Sequence, residues 1–207
     1  MFCKEINLPP IPADIINSIE DDTSHIIKNN VNQDYGHSHY QQGLKLLPPI
    51  LTDREINYQP LISWLDSFLE IPYKVYSLKY RPRKGGKILV HQDPPFRPHV
   101  LNYIIETGGE NVLTSWYKEK GNPAVRDPKL PGQQSNTGKI DYDDLTLIQS
   151  ACCKKDHWYF LKTNVLHDVS NLTEQRYMLS IIFENTNKKS FEEILPYLLK
   201  YDQPKIN

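Results

Sequence analysis

The chain of 207 residues has only three cysteines, Cys3 and the neighbours Cys152 and Cys153. They form no CxxC pair and no disulfide framework, so a reduced, cytoplasmic setting is the simpler expectation. Cys152 and Cys153 with His157 could suggest zinc, but adjacent sulfurs have poor bite geometry and no fourth ligand follows, which favours buried or partly buried free thiols. No run of about 18 apolar residues exists to span a bilayer. The N-terminal stretch, broken by Pro9, Pro10 and Pro12, lacks the apolar core of a signal peptide. A basic excess is missing too: the net charge is −1, which argues against a general polyanion binder, because broad nucleic-acid affinity needs clustered cations. With 39% hydrophobic residues, the length suits one domain with a substantial core.

Leu8-Pro9-Pro10-Ile11-Pro12 reads as a stiff extended segment, followed by a short helix over about 13–20 with Ile15, Ile16 and Ile19 on one face. The stretch 21–59 is polar and turn-rich. Its His37 and His39 could bind a metal, but with no third ligand nearby a surface loop bordering the site is the better reading. The clearest helix is 60–71: Pro60 suits its first turn, Leu61, Trp64, Leu65, Phe68 and Leu69 follow helical spacing, and Pro72 ends it. From Tyr73 the period changes to two, with strands over 75–80 and 87–92 joined by a basic turn in which Gly85-Gly86 can supply positive φ. Arg81, Arg83, Lys84 and Lys87 there read as a phosphate-binding patch or, better, as a solvated turn. Strands over 99–106 and 111–118 pair about Gly108-Gly109. The stretch 121–138 is rich in Pro and Gly and has no apolar period, so it is a mobile flap over the site or plain disorder. Strands over 144–152, 158–163, 165–169 and 176–184 follow. Ser190 and Glu193 form a capping-box signature ahead of Ile194, Leu195, Leu198 and Leu199, giving a helix over about 190–200 that should kink or restart at Pro196.

The chemistry concentrates on Lys87-Ile-Leu-Val-His-Gln-Asp93 and Thr163-Asn-Val-Leu-His167. In an extended strand alternate side chains share a face, so His91 and Asp93, with Leu89 before them, point the same way. A third ligand is available in His167, between Val165 and Val169 of like parity. Two imidazoles and one carboxylate on one side of a metal make a facial triad, with open positions for substrate and O2, typical of non-haem Fe(II) oxygenases. Residues 93–98, Asp-Pro-Pro-Phe-Arg-Pro, would hold the backbone rigid beside the metal. His99, just beyond, is a runner-up ligand or faces substrate or cosubstrate. A hairpin about Asn171-Leu172 would set Arg176 roughly opposite His167 at pocket depth.

Together, His91, Asp93, His167 and Arg176 resemble the His-x-Asp … His … Arg pattern of the Fe(II)- and 2-oxoglutarate-dependent dioxygenases, over roughly 74–184. His-x-Asp alone is a weak signal, and the combination carries the resemblance. It implies a mainly β fold, a double-stranded β-helix of jelly-roll, cupin-like type with flanking N- and C-terminal helices and a core of about 73–184 in a single oxygenase domain. Composition and periodicity alone support only a β-rich sandwich with peripheral helices. The resemblance further implies Fe(II) on the three ligands, 2-oxoglutarate and O2 at the remaining positions, and no catalytic residue beyond the ligands. Arg176 would pair with the distal carboxylate of 2-oxoglutarate, for which a guanidinium fork is better shaped than an ammonium. Tyr80 would donate to the same carboxylate and Asn102 would line the chelating end. The reaction implied is oxidative decarboxylation of 2-oxoglutarate to succinate and CO2 coupled to hydroxylation of a C–H bond. Asp93 stands where halogenating members carry a small residue. Several prolyl-hydroxylase-like members have Lys in place of Arg176, and nucleic-acid demethylases have a second Arg where this chain has Ile182. A hydroxylase of a protein side chain or small molecule is therefore expected, near the prolyl-hydroxylase-like or aspartyl/asparaginyl-hydroxylase-like branches.

Two other classes fit parts of the pattern. A non-catalytic jelly-roll binding module with a structural metal would keep the strands without cosubstrate turnover. A nucleic-acid binder using the basic turn would show steep salt dependence and no iron requirement.

Overall fold

The computed structural model of the protein describes residues 1–19, 40–41, 44–45, 50–81, 87–93, 97–121, 141–184 and 189–202. The His37/His39 pair, most of the basic turn, Pro94 to Phe96 and nearly all of the Gly- and Pro-rich stretch lie outside the described residues. In chain order the strands are β1 (Cys3–Ile6), β2 (Tyr40–Gln41), β3 (Leu44–Lys45), β4 (Ile50–Ile56), β5 (Tyr73–Arg81), β6 (Ile88–His91), β7 (His99–Thr107), β8 (Leu113–Glu119), β9 (Leu145–Cys152), β10 (Trp158–Lys162), β11 (His167–Ser170) and β12 (Arg176–Phe183). The helices are α1 (13–19), α2 (Gln59–Asp66) and α3 (Phe191–Leu199).

A six-stranded sheet runs β1-β10-β7-β12-β5-β4 and a four-stranded sheet runs β6-β11-β8-β9, while β2 and β3 form a small pair of their own. Every pairing is antiparallel. From β5 to β12 successive strands pass from one sheet to the other, and only β8 and β9 are paired neighbours in sequence. This alternation is the double-stranded β-helix, or jelly roll. It corrects the hairpin expectations. β5 and β6, β7 and β8, and β11 and β12 lie in different sheets, so their connections span the roughly 10 Å between stacked sheets rather than the roughly 4.8 Å between paired strands. The edge strands β1 and β4 are additions to the expected set of about eight.

The outer face of the six-stranded sheet carries the helices. Ile15 and Ile19 of α1, Leu61 and Leu65 of α2, and Phe191, Ile194 and Leu198 of α3 pack with Leu101, Tyr103, Trp158, Phe160, Tyr177, Leu179, Ile181 and Phe183. Phe160 and Phe191 stack at 4.4 Å. Each such aliphatic or aromatic side chain contributes roughly 1.5–3 kcal/mol on burial. Because its other face meets the second sheet, all of β12 is buried, which is why Arg176–Phe183 reads as a nearly continuous apolar run.

α2 stops well short of the expected 60–71. The Ser67 hydroxyl donates to the Trp64 carbonyl at 2.6 Å, and the Ser67 and Phe68 amides reach back three residues to Trp64 and Leu65, closing the helix in a tighter turn. Leu69 is nonetheless buried. α3 begins at the expected capping box, with the Glu193 amide donating to Ser190 Oγ and the Ser190 amide to Glu193 Oε2. It continues through Pro196 as one helix, so of the expected kink or restart the restart does not occur. The carbonyl that Pro196 leaves without an amide partner is that of exposed Glu192, where water can serve it. Among the described residues no helix is long and apolar enough to cross a membrane.

Candidate functional site

His91 closes β6 and His167 opens β11, and the two strands pair with these residues in direct register. Trp116 of β8 is the register partner of His167 on its other side. Directly opposed residues of antiparallel strands share a face, and Trp116 packs with Leu78, Val100, Ile104, Met178 and Ile182 of the other sheet. Both imidazoles therefore point into the space between the sheets. Their ring centroids are 4.3 Å apart. Asp93 lies just past the end of β6 rather than within it, so strand alternation is not what places it. Its amide donates to the Thr163 carbonyl at 2.9 Å, and the Thr163 and Asn164 amides both donate to the Pro98 carbonyl at 3.0 Å. Thr163 Oγ1 adds a bond to the Arg97 carbonyl at 2.6 Å. These bonds stitch the connection after β6 to the one before β11. Asp93 Oδ1 sits 3.6 Å from His91 Nε2. One potential ligand atom from each of His91, Asp93 and His167 lies within 4.8 Å of the other two, and this is the cluster of metal-ligand type among the described residues.

The chemistry of the donor set fits a divalent transition metal. His167 Nδ1 is 2.8 Å from the Val165 carbonyl. A carbonyl only accepts, so Nδ1 carries the proton and Nε2 keeps the lone pair a metal would take. Burial, reinforced by the neighbouring His91 and opposed by Asp93, lowers the His167 pKa to about 4, so the ring is neutral at pH 7.

On the facing sheet, even-numbered residues of β12 and β7 share the inner face with Met178, Ile182, Val100 and Ile104. This puts Arg176, Ser180 and Asn102 inside. Asn102 and Ser180 are register partners, as are Arg176 and Tyr80. Arg176 is 1% exposed. Its Nη1 donates to the Thr107 carbonyl at 3.2 Å, and its Nε has no partner. Asn102 Nδ2 lies 3.3 Å from Met178 sulfur, while Asn102 Oδ1 and Ser180 Oγ are buried and unpartnered. Unmet donors and acceptors of this kind cost about 1–3 kcal/mol each unless something polar answers them. The interior thus offers a cation and two polar groups to a small polar ligand opposite the His/Asp cluster.

No family model and no curated protein matches the chain. Among solved structures it is similar to SnoK, a non-heme alpha-ketoglutarate-dependent carbocyclase from nogalamycin biosynthesis, at 12% identity over 87% of this chain and 78% of that one, with a TM-score of 0.49. It is also similar to the epimerase SnoN in complex with Fe3+, alpha ketoglutarate and nogalamycin RO, at 10% identity over 86% and 77% with a TM-score of 0.42. A cupin domain from Bordetella pertussis Tohama I is 15% identical over 69% of this chain and 99% of that one, with a TM-score of 0.35.

Other sequence candidates fall elsewhere. His99 has the parity of Leu101 and Tyr103 and packs edge-on to Phe160 at 5.3 Å on the helix side. It does not join the cluster. Burial, with the Lys162 ammonium, lowers its pKa to about 4. Lys87 is engaged as a structural group, 3.3 Å from Asp168 and over the Tyr142 ring. Asp168, on the outer face beside His167, accepts from Tyr117 and Tyr142 hydroxyls at 3.1 and 2.9 Å and braces β11 from behind. His157 faces Glu5 at 3.8 Å, and Cys152 is exposed while Cys153 is buried, which corrects the expectation for Cys152. Ser180 and Trp116 were missed. Ser180 was detectable as a polar residue of Arg176 parity inside an apolar strand.

Two consequences can be measured. His99 and His167 both titrate lower folded than unfolded, where an imidazole sits near 6.5. The folded state therefore binds fewer protons between pH 6.5 and 4, so the stability of metal-free protein is full above about 6.5 and declines as pH falls to about 4, by up to about 3 kcal/mol per imidazole. Denaturant midpoints measured across that range test this, and a flat profile contradicts it. Gly108, at φ +91°, abuts Arg176: an added Cβ would lie 2.5 Å from Leu172 Cδ2 and 2.9 Å from Arg176 Cβ. Gly108→Ala should cost about 2 kcal/mol or more in thermal or denaturant unfolding. Unchanged stability would mean that the turn relaxes freely.

Proposed function

We propose that the chain is an Fe(II)- and 2-oxoglutarate-dependent dioxygenase, a single oxygenase domain that hydroxylates a protein side chain or small molecule. The observation that carries this reading is the placement of His91, Asp93 and His167 within 4.8 Å of one another on one wall of the barrel, with a buried, partly unsatisfied Arg176 on the facing wall. His91, Asp93 and His167 would hold the iron through Nε2 of His167, an Asp93 carboxylate oxygen and a His91 ring nitrogen. Arg176 would take the distal carboxylate of 2-oxoglutarate, with Tyr80 beside it as a second donor. Asn102 and Ser180 are the remaining polar groups on that wall, suited to the cosubstrate's polar atoms. When bound, iron with 2-oxoglutarate and O2 supplies the oxidising power for C–H hydroxylation, and the cosubstrate leaves as succinate and CO2.

The chain's own residues do the positioning. The Nδ1–H bond to Val165 fixes the His167 ring. The Thr163 carbonyl fixes the Asp93 backbone, and β12 packing fixes Arg176. His91 and Asp93 side chains each retain 19% exposure, so the cluster is reachable from solvent on their side. That favours a catalytic site over a closed structural one, since catalytic centres keep open positions. The free thiols among the described residues suit a reducing compartment such as the cytoplasm. The test is succinate formation from 2-oxoglutarate by the anaerobically iron-loaded protein on exposure to O2, with and without candidate substrates. Iron binding without any succinate across peptide and small-molecule panels would favour the metal-binding module instead.

A further inference from the structure

Cys3 sits in β1, paired with Leu161 of β10 at the edge of the six-stranded sheet, whereas Cys153 follows β9 of the four-stranded sheet. The two nonetheless meet between the sheets, where Cys153 belongs to the inner core and Cys3 packs against it. Cys3 is the hydrogen-bonding neighbour of Cys153, and Arg176 is a charged neighbour of the same thiol. Both ends are held independently. The Phe2 amide donates to Gln149 Oε1 at 3.1 Å and the Phe2 ring stacks near Trp116. The Lys154 amide donates to Tyr159 hydroxyl at 3.0 Å, which in turn donates to Glu5 Oε2 at 3.1 Å. The residues flanking each cysteine are thus tied to the other's neighbourhood, which holds the two thiols in one part of the core where a bond of about 2.05 Å between the sulfurs can form.

We propose that Cys3 and Cys153 are a thiol–disulfide site, oxidised by a peroxide, in which Arg176 activates Cys153 as the attacking thiolate. The Cys3 thiol beside it and the Arg176 guanidinium, against the cost of burial, hold the Cys153 thiol below its usual range, while the Cys3 thiol is held well above it. Cys153 gives up its proton and attacks the peroxide oxygen, which forms a sulfenic acid and releases an alcohol, or water from hydrogen peroxide. The Cys3 sulfur then displaces water from Cys153 sulfur as its own proton leaves with that water. Overall, two thiols and one peroxide give one disulfide and two molecules of water from hydrogen peroxide, or one of water and one of alcohol from an organic peroxide, so the sulfurs lose two electrons and the peroxide gains them. Cys3 is half-buried at the end of a four-residue edge strand, where local opening can admit a small peroxide. Exposed Cys152 lies outside the pair.

The experiment treats the full chain, kept free of added iron, with hydrogen peroxide, then alkylates remaining thiols after denaturation and maps the peptides. The expected product is a Cys3–Cys153 link lacking two hydrogens, with Cys152 still alkylatable and Cys152→Ser giving the same link. Alkylation of both Cys3 and Cys153 after oxidation, or a link through Cys152, overturns the proposal. At pH 7 Arg176→Gln should slow disulfide formation by on the order of tenfold, with Arg176→Lys keeping most of the rate. In the wild type the rate should reach half its maximum below the ordinary thiol value of about 8.5. Equal rates in all three proteins, or a half-maximum at or above that value, overturn the role given to Arg176.

Discussion

Replacing His167 with alanine is expected to abolish stoichiometric Fe(II) binding, and His91→Ala should do nearly the same. Three protein ligands on one face is already a minimal set, and two leave the metal exchanging with solvent. Loss of an outer-sphere partner alone typically costs roughly 10- to 100-fold in metal affinity, so loss of a ligand should exceed that range. The fold should survive. His167 is one residue of a strand clamped on both sides by β6 and β8 and from behind by the Asp168 cluster. Metal-free His167→Ala should even lose part of the acid sensitivity of the wild type, because the buried neutral imidazole responsible for it is gone. Anaerobic iron titration with a parallel denaturation profile separates the two effects. Wild-type iron affinity in both alanine variants would remove the His/Asp cluster from consideration as the metal centre.

The strands were legible because β5, β7, β10 and β12 carry apolar runs with period two or with both faces buried, and the helices because Pro60, Ser190 and Glu193 mark their starts. Sheet membership was not legible. Local sequence cannot distinguish a turn that pairs two strands from one that carries the chain across to the other sheet, and Gly108-Gly109, with φ of +91° and +121°, proved to be of the second kind. β1 escaped notice because its partner β10 lies far away in the chain, and β4 because α2 stands between it and its partner β5; nothing local separates a short edge strand from a polar segment. At the site, the residues now found together were named from their spacing, but the contact that sets the geometry, His91 directly opposite His167, depends on long-range register. Strand alternation from His91 does not place Asp93, which lies beyond β6 and is held by Thr163 rather than by the pleat. The thiol pair was hidden for the same reason: Cys3 meets Cys153 only once β1 joins β10.

Arg176 provides the sharpest separation of cosubstrate binding from metal binding. Affinity for 2-oxoglutarate should fall from wild type to Arg176→Lys to Arg176→Ala, since Lys keeps the charge but loses the fork and Ala loses both. A charge-assisted bidentate contact inside a buried site is worth on the order of 2 to 5 kcal/mol, or roughly 30-fold to a few thousandfold in affinity. The setting supports the upper part of that range: Arg176 is 1% exposed, its Nη1 donates to the Thr107 carbonyl, and its Nε is unmatched, so the Nε edge of the guanidinium is open to a carboxylate. Iron affinity should barely change, because Arg176 lies on the opposite sheet from His91 and His167. Arg176→Ala also leaves a cavity and removes the donor to Thr107, so each variant's unfolding midpoint must be measured alongside. A folded Arg176→Ala protein with normal iron binding and greatly weakened 2-oxoglutarate binding, followed by the charge-transfer absorption of the anaerobic chelate, is the expected result. If that variant binds 2-oxoglutarate as tightly as wild type, the cosubstrate's carboxylate is held elsewhere and the proposed division of labour between the two walls of the barrel is wrong.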